Sequence, residues 1–342
     1  MPDPLLSLGI AVLIIAIGSL LFWPERGLVS RWQQNQHMTE RIHSEDALKH
    51  IHKCEMKGNY PTVESIAGAL HVNLNETAAI LNRMQADKLL VITKGEIHLT
   101  PQGREAALHI IRAHRLWERY LAEETGFPEA EWHGKAEKYE HMLTPEAANA
   151  LAMQLGNPTH DPHGDPIPTA EGKIETHGGQ ALTAVPVDTL ARIVHLEDEP
   201  EIVYAQLAAE GLHPGMFVRV MESSPERVRF WANGNEHILA PMVATNISVV
   251  PVPAETKVKP SNGQLLGSLK LGETAEVTSL SPTCRGAERR RFMDLGILPG
   301  TKITAELRSP SGEPTAYRIR GAVIALRQSQ ANMIHVKPAV SQ

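Results

Sequence analysis

The stretch HGKAEKYEH, His133 to His141, decides how the rest of the chain is read. Placed on an α-helix, His133, Glu137, Glu140 and His141 fall at i, i+4, i+7 and i+8, one stripe of neighbouring positions. Just upstream, His114 and Glu118 in HRLWE form another i, i+4 pair on the preceding predicted helix. Two packed helices would then offer imidazoles and carboxylates to one or two cations. Trp117, Leu121, Tyr139 and Met142 supply the apolar stripe through which these helices are expected to pack. One His/Glu pair is ordinary surface chemistry, whereas six such groups converging on two adjacent helices call for a ligand.

Ligand chemistry narrows the choice. The two cysteines, Cys54 and Cys284, lie far from this stretch. Imidazole and carboxylate without sulfur suit Mn(II) or Fe(II) better than a closed structural zinc site. No activated nucleophile or open catalytic constellation accompanies the cluster, so the chain reads as a sensor and not as an enzyme.

A length of 342 residues allows several domains. With 42% hydrophobic and 21% charged residues the composition is that of a globular protein and excludes wholesale disorder. The formal net charge of −6 gives no general attraction for nucleic acid, so any DNA contact must come from a local patch. Aromatic residues at 4% are too scarce for a single-strand stacking platform. Two distant cysteines provide no disulfide framework.

From the amino end, Leu5 to Trp23 is a charge-free apolar run of the length that crosses a bilayer. It predicts a single-pass anchor over residues 1–33. Trp23 would sit at the interface, and Arg26 and Arg31 would keep the bulk of the chain cytoplasmic. SEDALKHIHKC then predicts a helix with Ser44 as N-cap, and TVESIAGAL followed by LNETAAILNRMQADKLL reads as helix, turn, helix, with Thr62 capping the first. VITKGEIHLT predicts a hairpin around Lys94-Gly95. Residues 40–104 therefore form a winged helix-turn-helix, and 105–168 a helical domain. DPHGDPIP, Asp161 to Pro168, is a loop fixed by proline and glycine, and His160 just before it and Asp161, His163 and Asp165 within it are read as parts of a connection. A linker covers 169–181.

Beyond Leu182 the texture changes to short alternating strands that repeat. EGLHPGMFVRV (Glu210–Val220) is echoed by LGILPGTKITA (Leu295–Ala305), and ILAPMVATNISVVPV by IALRQSQANMIHVKP. Two SH3-like barrels follow, at 182–253 and 265–338, joined by a linker at 254–264. The fold class is α+β: an N-terminal transmembrane helix, a winged helix-turn-helix, an α-helical metal-binding and dimerisation domain, and two SH3-like small β-barrels.

These residues carry a resemblance. From Ser44 to Pro168 the winged helix, LTPQG, AHRLWERYL, HGKAEKYEHML and DPHGDPIP occur in the order found in the diphtheria-toxin repressor and manganese-transport regulator family. The resemblance implies that His114, Glu137, Glu140 and His141 are metal ligands together with Asp46 on the first helix. Glu137, where iron-sensing members have cysteine, is similar to the manganese branch; Lys49 departs from it, standing where that branch has a second carboxylate. His133 and Glu118, with His114, match the ancillary site of the iron-sensing branch. The first β module resembles the SH3-like domain of those repressors, which makes Asp198 and Glu201 candidate extra ligands. The second module, with LKLGETAEV and RRRFMDLGILPGT, resembles FeoA-type domains.

DNA contacts would fall to Asn75, Thr77, Arg83, Lys88 and Lys94, a sparse set that Glu76 and Asp87 oppose. The expectation is a membrane-anchored homodimer that binds double-stranded DNA when loaded with Mn(II) or Fe(II) and regulates metal-ion homeostasis. The alternative is a cytoplasmic metal-sensing accessory of a metal-ion transporter without DNA binding. PERGLVSRW, which resembles the end of metal ABC-transporter permeases, favours the alternative.

Overall fold

A computed structural model describes residues 28–175, 178–232, 235–252, 264–281 and 284–338. The chain divides into two units, 1–111 and 112–342.

The first unit begins with α1 (Leu28–Met56), followed by α2 (Val63–Leu70) and α3 (Leu74–Ala86). Apolar residues spaced for one helix face, Ala47, Leu48 and Ile51 of α1, bury against Ile66, Leu70, Ile80 and Met84. Thr62 caps α2 by accepting from the Ser65 amide at 3.2 Å, and Asn73 caps α3 by accepting from the Glu76 amide at 3.0 Å. Each cap satisfies one amide that helix geometry leaves without a partner. Strands β1 (Leu90–Thr93) and β2 (Glu96–Leu99) pair antiparallel. Their turn holds Lys94 (φ 54°) and Gly95 (φ 87°), two left-handed residues that match the twist of a tight hairpin. Helix, turn, helix and wing thus form as the sequence predicts. α4 (Pro101–Glu124) starts where the hairpin ends, so close to it that a Cβ on Gly103 would lie 1.8 Å from the Leu89 carbonyl oxygen.

Ser44 is not an N-cap. It lies inside α1, its hydroxyl donating to the Glu40 carbonyl at 3.0 Å. The segment from Leu28 to Met56 contains neither proline nor glycine, and nothing stops the helix. The predicted anchor, Leu5 to Trp23, lies outside the described residues. The expected single-pass membrane localisation is corrected nonetheless. Among the described residues no helix is long and apolar enough to cross a membrane.

In the second unit, the remainder of α4 is followed by α5 (Trp132–Tyr139), a 3₁₀ turn (Glu140–Met142) and α6 (Pro145–Gln154), which Thr144 caps. Small residues let these helices approach: Ala148 and Ala152 of α6 pack on Leu116, with Ile167 closing the cluster. Trp132 is fully buried against Leu121 and Ala122, and its indole N–H donates to the Phe127 carbonyl at 2.9 Å.

Two β modules complete this unit. The first comprises β3 (Gln180–Ala181), β4 (Leu190–Leu196), α7 (Glu201–Ala209), β5 (Phe217–Ser223), β6 (Val228–Ala232), β7 (Asn235–Leu239), α8 (Pro241–Ala244) and β8 (Ile247–Pro251). The second repeats it with β9 (Gln264–Leu265), β10 (Thr274–Leu280), α9 (Gly286–Asp294), β11 (Lys302–Arg308), β12 (Thr315–Ile319), β13 (Ala322–Leu326), α10 (Gln328–Ala331) and β14 (Ile334–Pro338). The sheets run β3-β8-β4-β5-β6-β7 and β9-β14-β10-β11-β12-β13, one topology used twice. Bulges recur at matching places, between Ile193 and His195 in β4 and between Val277 and Ser279 in β10. Each sheet closes over its own core, around Phe230 in one and Tyr317 and Phe292 in the other.

Candidate metal centre

His114 and Glu118 lie one turn apart on α4, so both reach the same face. Glu118 is 1% exposed. Its Oε1 is 3.1 Å from His114 Nε2, 3.2 Å from His133 Nδ1 at the start of α5, and 3.6 Å from His163 Nε2. Asp198, from the connection between β4 and α7, approaches the same imidazole, with Oδ2 3.1 Å from His133 Nδ1. His114, Glu118, His133 and Asp198 each present a ligand atom within 4.8 Å of the others.

The electrostatics are those of a cluster built around charge. Burial alone would raise the Glu118 carboxyl, but the charges of His114 and His163 and hydrogen bonds from His114 and His133 hold it well below the usual range. Burial opposes protonation of His133, yet hydrogen bonds to Asp198, Glu118 and Glu137 outweigh it and push the imidazole up to about 12. His163 is likewise desolvated and still rises to about 9 because of Glu118 and Asp161. Among the described residues, Glu118 Oε2 and both ring nitrogens of His163 are buried without a hydrogen-bond partner. Buried polar atoms in that state normally have a partner. Two neutral-capable imidazoles, two carboxylates and no thiolate are donors that fit Mn(II) or Fe(II).

His163 and Asp161 are what the sequence reading missed by treating DPHGDPIP as a connection only. The Asp161 side chain accepts from the amides of His163 and Asp165, both at 2.9 Å, and so turns the loop inward. Burial, then the neighbouring carboxylates Asp165 and Glu118, push the Asp161 carboxyl up to about 7. The loop is also fastened to β4: Leu196 N–H donates to the His163 carbonyl at 2.9 Å. Gly164 (φ 95°) permits this approach, since a Cβ there would lie 2.0 Å from the Val194 carbonyl oxygen. His195 Nε2, 3.3 Å from Asp165 Oδ2, adds a side-chain link. The signal in the sequence is the alternation of acid, imidazole and proline in DPHGDPIP.

The single stripe expected from His133 to His141 does not form. α5 ends at Tyr139 and the chain tightens into a 3₁₀ turn, which rotates the next residues relative to a continuous helix. Glu140 and His141 are buried and form a separate pair, with His141 Nε2 3.7 Å from Glu140 Oε1. His114 joins the two groups, its Nδ1 contacting Glu140 while its Nε2 faces Glu118. Glu137 stays half exposed, 3.5 Å from His133 Nε2. Met142, expected to pack, is 71% exposed for the same helical reason, and Tyr139 stacks obliquely on Trp117. Glu201 opens α7 and is exposed, outside the cluster that Asp198 enters. Asp46, partly buried, is carried by α1 of the first unit.

On the winged helix, Asn75, Lys88 and Lys94 are exposed. Thr77 is not: it is fully buried, with its hydroxyl donating to the Asn73 carbonyl at 3.0 Å. The expectation that Thr77 meets DNA is therefore corrected, because the N-cap places it on the inner face of α3. Arg83 is engaged by Glu40 of α1.

The chain is thus a multidomain winged-helix protein whose helical segment bears a buried imidazole-carboxylate cluster and is followed by two small β modules. Residues 100–169 match the family model described as iron dependent repressor, metal binding and dimerisation domain, and residues 264–338 match the FeoA domain. The iron-dependent repressor IdeR of Mycobacterium leprae is 29% identical over 211 residues, 57% of this chain and 90% of that protein. A solved manganese-dependent transcriptional repressor in complex with manganese aligns with a TM-score of 0.55 at 25% identity, over 61% of this chain and all of that one. A 70-residue stretch is 44% identical to a probable metal transport system membrane protein of Chlamydia trachomatis, 20% of this chain and 16% of that protein. The two repressors are regulators and not enzymes, in agreement with the sequence reading.

Proposed function

We propose that this chain is a metal-dependent transcriptional repressor that binds Mn(II) or Fe(II), acts as a homodimer and controls genes of metal-ion homeostasis. The observation that carries the reading is the buried group of His114, Glu118, His133 and Asp198, whose ligand atoms converge within 4.8 Å. Glu118 Oε2, buried without a hydrogen-bond partner among the described residues, supports it. His163 contributes to the same centre. Glu140 and His141 hold a second ion, with His114 between the two and Glu137 at the edge. When bound, the metal supplies positive charge that lets carboxylates and imidazoles pack together in place of protons. The protein side chains hold the α4, α5 and β4–α7 segments in one arrangement, and a ligand preferring that arrangement shifts the population toward it. Asn75, Arg83, Lys88 and Lys94 then meet the duplex, with weak intrinsic affinity made useful by pairing of two winged helices.

The test is binding of the full chain to its own upstream DNA at low salt, with and without Mn(II), beside His133→Ala. Metal-dependent binding that the variant loses supports the repressor. A second reading, a metal-sensing accessory of a metal-ion transporter, is favoured by the 70-residue likeness to a metal transport system protein. Metal uptake with no DNA affinity in either state would select it.

A further inference from the structure

Both β modules meet the helical domain through the same part of their fold, the connection from the first long strand to the helix. In the first module this connection carries Asp198, beside His133. In the second, the connection from β10 to α9 carries Arg285, whose Nη1 donates to the Pro162 carbonyl at 2.8 Å. Pro162 stands between Asp161, whose side chain accepts from the His163 amide, and His163, whose Nε2 lies 3.6 Å from Glu118 Oε1. Burial lowers the Arg285 guanidinium below its usual range, with Glu129 and Tyr204 opposing that shift.

The seat is close-fitting. Gly286, the first residue of α9, has φ 53°, and a Cβ there would lie 2.8 Å from the Phe127 carbonyl oxygen and 3.5 Å from Trp132. The Phe127–Trp132 turn leads directly into His133. Tyr204 of the first module donates to Glu129 in that same turn, and the edge of its ring packs on His163 with centroids 4.6 Å apart. Helical turn, proline loop and both β modules therefore share one junction behind the cluster.

We propose that Arg285 is a positioning residue for the metal centre: by holding the Pro162 carbonyl it keeps the neighbouring His163 against Glu118, coupling metal affinity to the seating of the FeoA-type module. The inference rests on the reading of His114, Glu118, His133 and Asp198 as a metal site. Coupling is reciprocal, so metal must in turn secure the module.

Mn(II) titrations of the full chain by calorimetry, for wild type, Arg285→Ala, Arg285→Lys and His133→Ala, test it. Supporting residues around metal ligands change affinity by about 10–100-fold. We expect Arg285→Ala to weaken, by about tenfold, the site that His133→Ala removes, and Arg285→Lys to recover most of the loss because an ammonium still donates to a carbonyl. In the wild type, where no variant can misfold, Mn(II) should slow hydrogen exchange in Gly286–Asp294. If His133→Ala removes the site but Arg285→Ala binds as wild type, or exchange in α9 ignores the metal, the coupling is wrong and the site stands. If His133→Ala binds as wild type, the site reading itself falls.

Discussion

Replacing Glu118 by Gln in the metal-free protein removes one negative charge and leaves the shape nearly unchanged. Three imidazoles face that carboxylate, those of His114, His133 and His163, and two of them are held protonated well above the ordinary histidine range. Breaking a buried ion pair by removing one partner costs about 3–5 kcal/mol. The lower end applies here, because glutamine keeps an acceptor and Asp198 still faces His133. A loss of about 3 kcal/mol in a unit of this size lowers the melting temperature by roughly 6–12 °C. The Glu118 carboxyl is depressed in the folded state, so its contribution is complete above the unfolded glutamate value of about 4.3 and is lost as pH falls through the lower folded value. Melting curves by circular dichroism in chelator should therefore separate variant from wild type by the full margin at neutral pH. The curves should draw together in strong acid. Coincident melting at neutral pH would refute an ionic cluster centred on Glu118.

Asp198→Ala should weaken Mn(II) binding by at least the roughly tenfold typical of losing a supporting residue, measured by calorimetry, since it removes a donor 3.1 Å from His133. Because His133 and His163 are held protonated up to about 12 and about 9, metal binding should displace protons and tighten as pH rises. Calorimetry in two buffers of different ionisation heat should find at least about one proton released per ion, and none would contradict the assignment. Gly103→Ala should destabilise the first unit by about 3 kcal/mol in chemical denaturation, the upper end of overpacking, because its Cβ would meet the Leu89 carbonyl. Cys284, whose thiol burial pushes up to about 12, should resist alkylation in the native protein at mildly alkaline pH and react after unfolding.

Where periodicity and turn chemistry were local, the sequence was sufficient. Thr62 and the Lys94-Gly95 pair specify a cap and a hairpin through their own backbone preferences, and both are where expected. The duplicated β module was legible because its turns repeat. The imidazoles and carboxylates of the cluster were legible by residue type, but their grouping was not. Eight residues of α5 carry too little helical commitment to extend through Glu140, and the 3₁₀ turn divides one predicted stripe into two clusters. His163 was hidden for a different reason: it comes within 3.6 Å of Glu118 only because β4 and the loop are hydrogen-bonded, a contact between segments distant in sequence. Thr77 shows the converse, a polar side chain read as an outward reader that its own helix cap turns inward.

The two β modules share a topology and matching bulges while presenting an acid, Asp198, from one strand-to-helix connection and a base, Arg285, from the other. A sheet with its own core tolerates exchange of these two side chains, because neither Asp198 nor Arg285 belongs to its module's core. Duplication of the barrel would then give evolution a spare adapter. One copy could keep Asp198 beside His133 while the other acquired a new input, and exchanging the two side chains should exchange the inputs without redesigning either barrel.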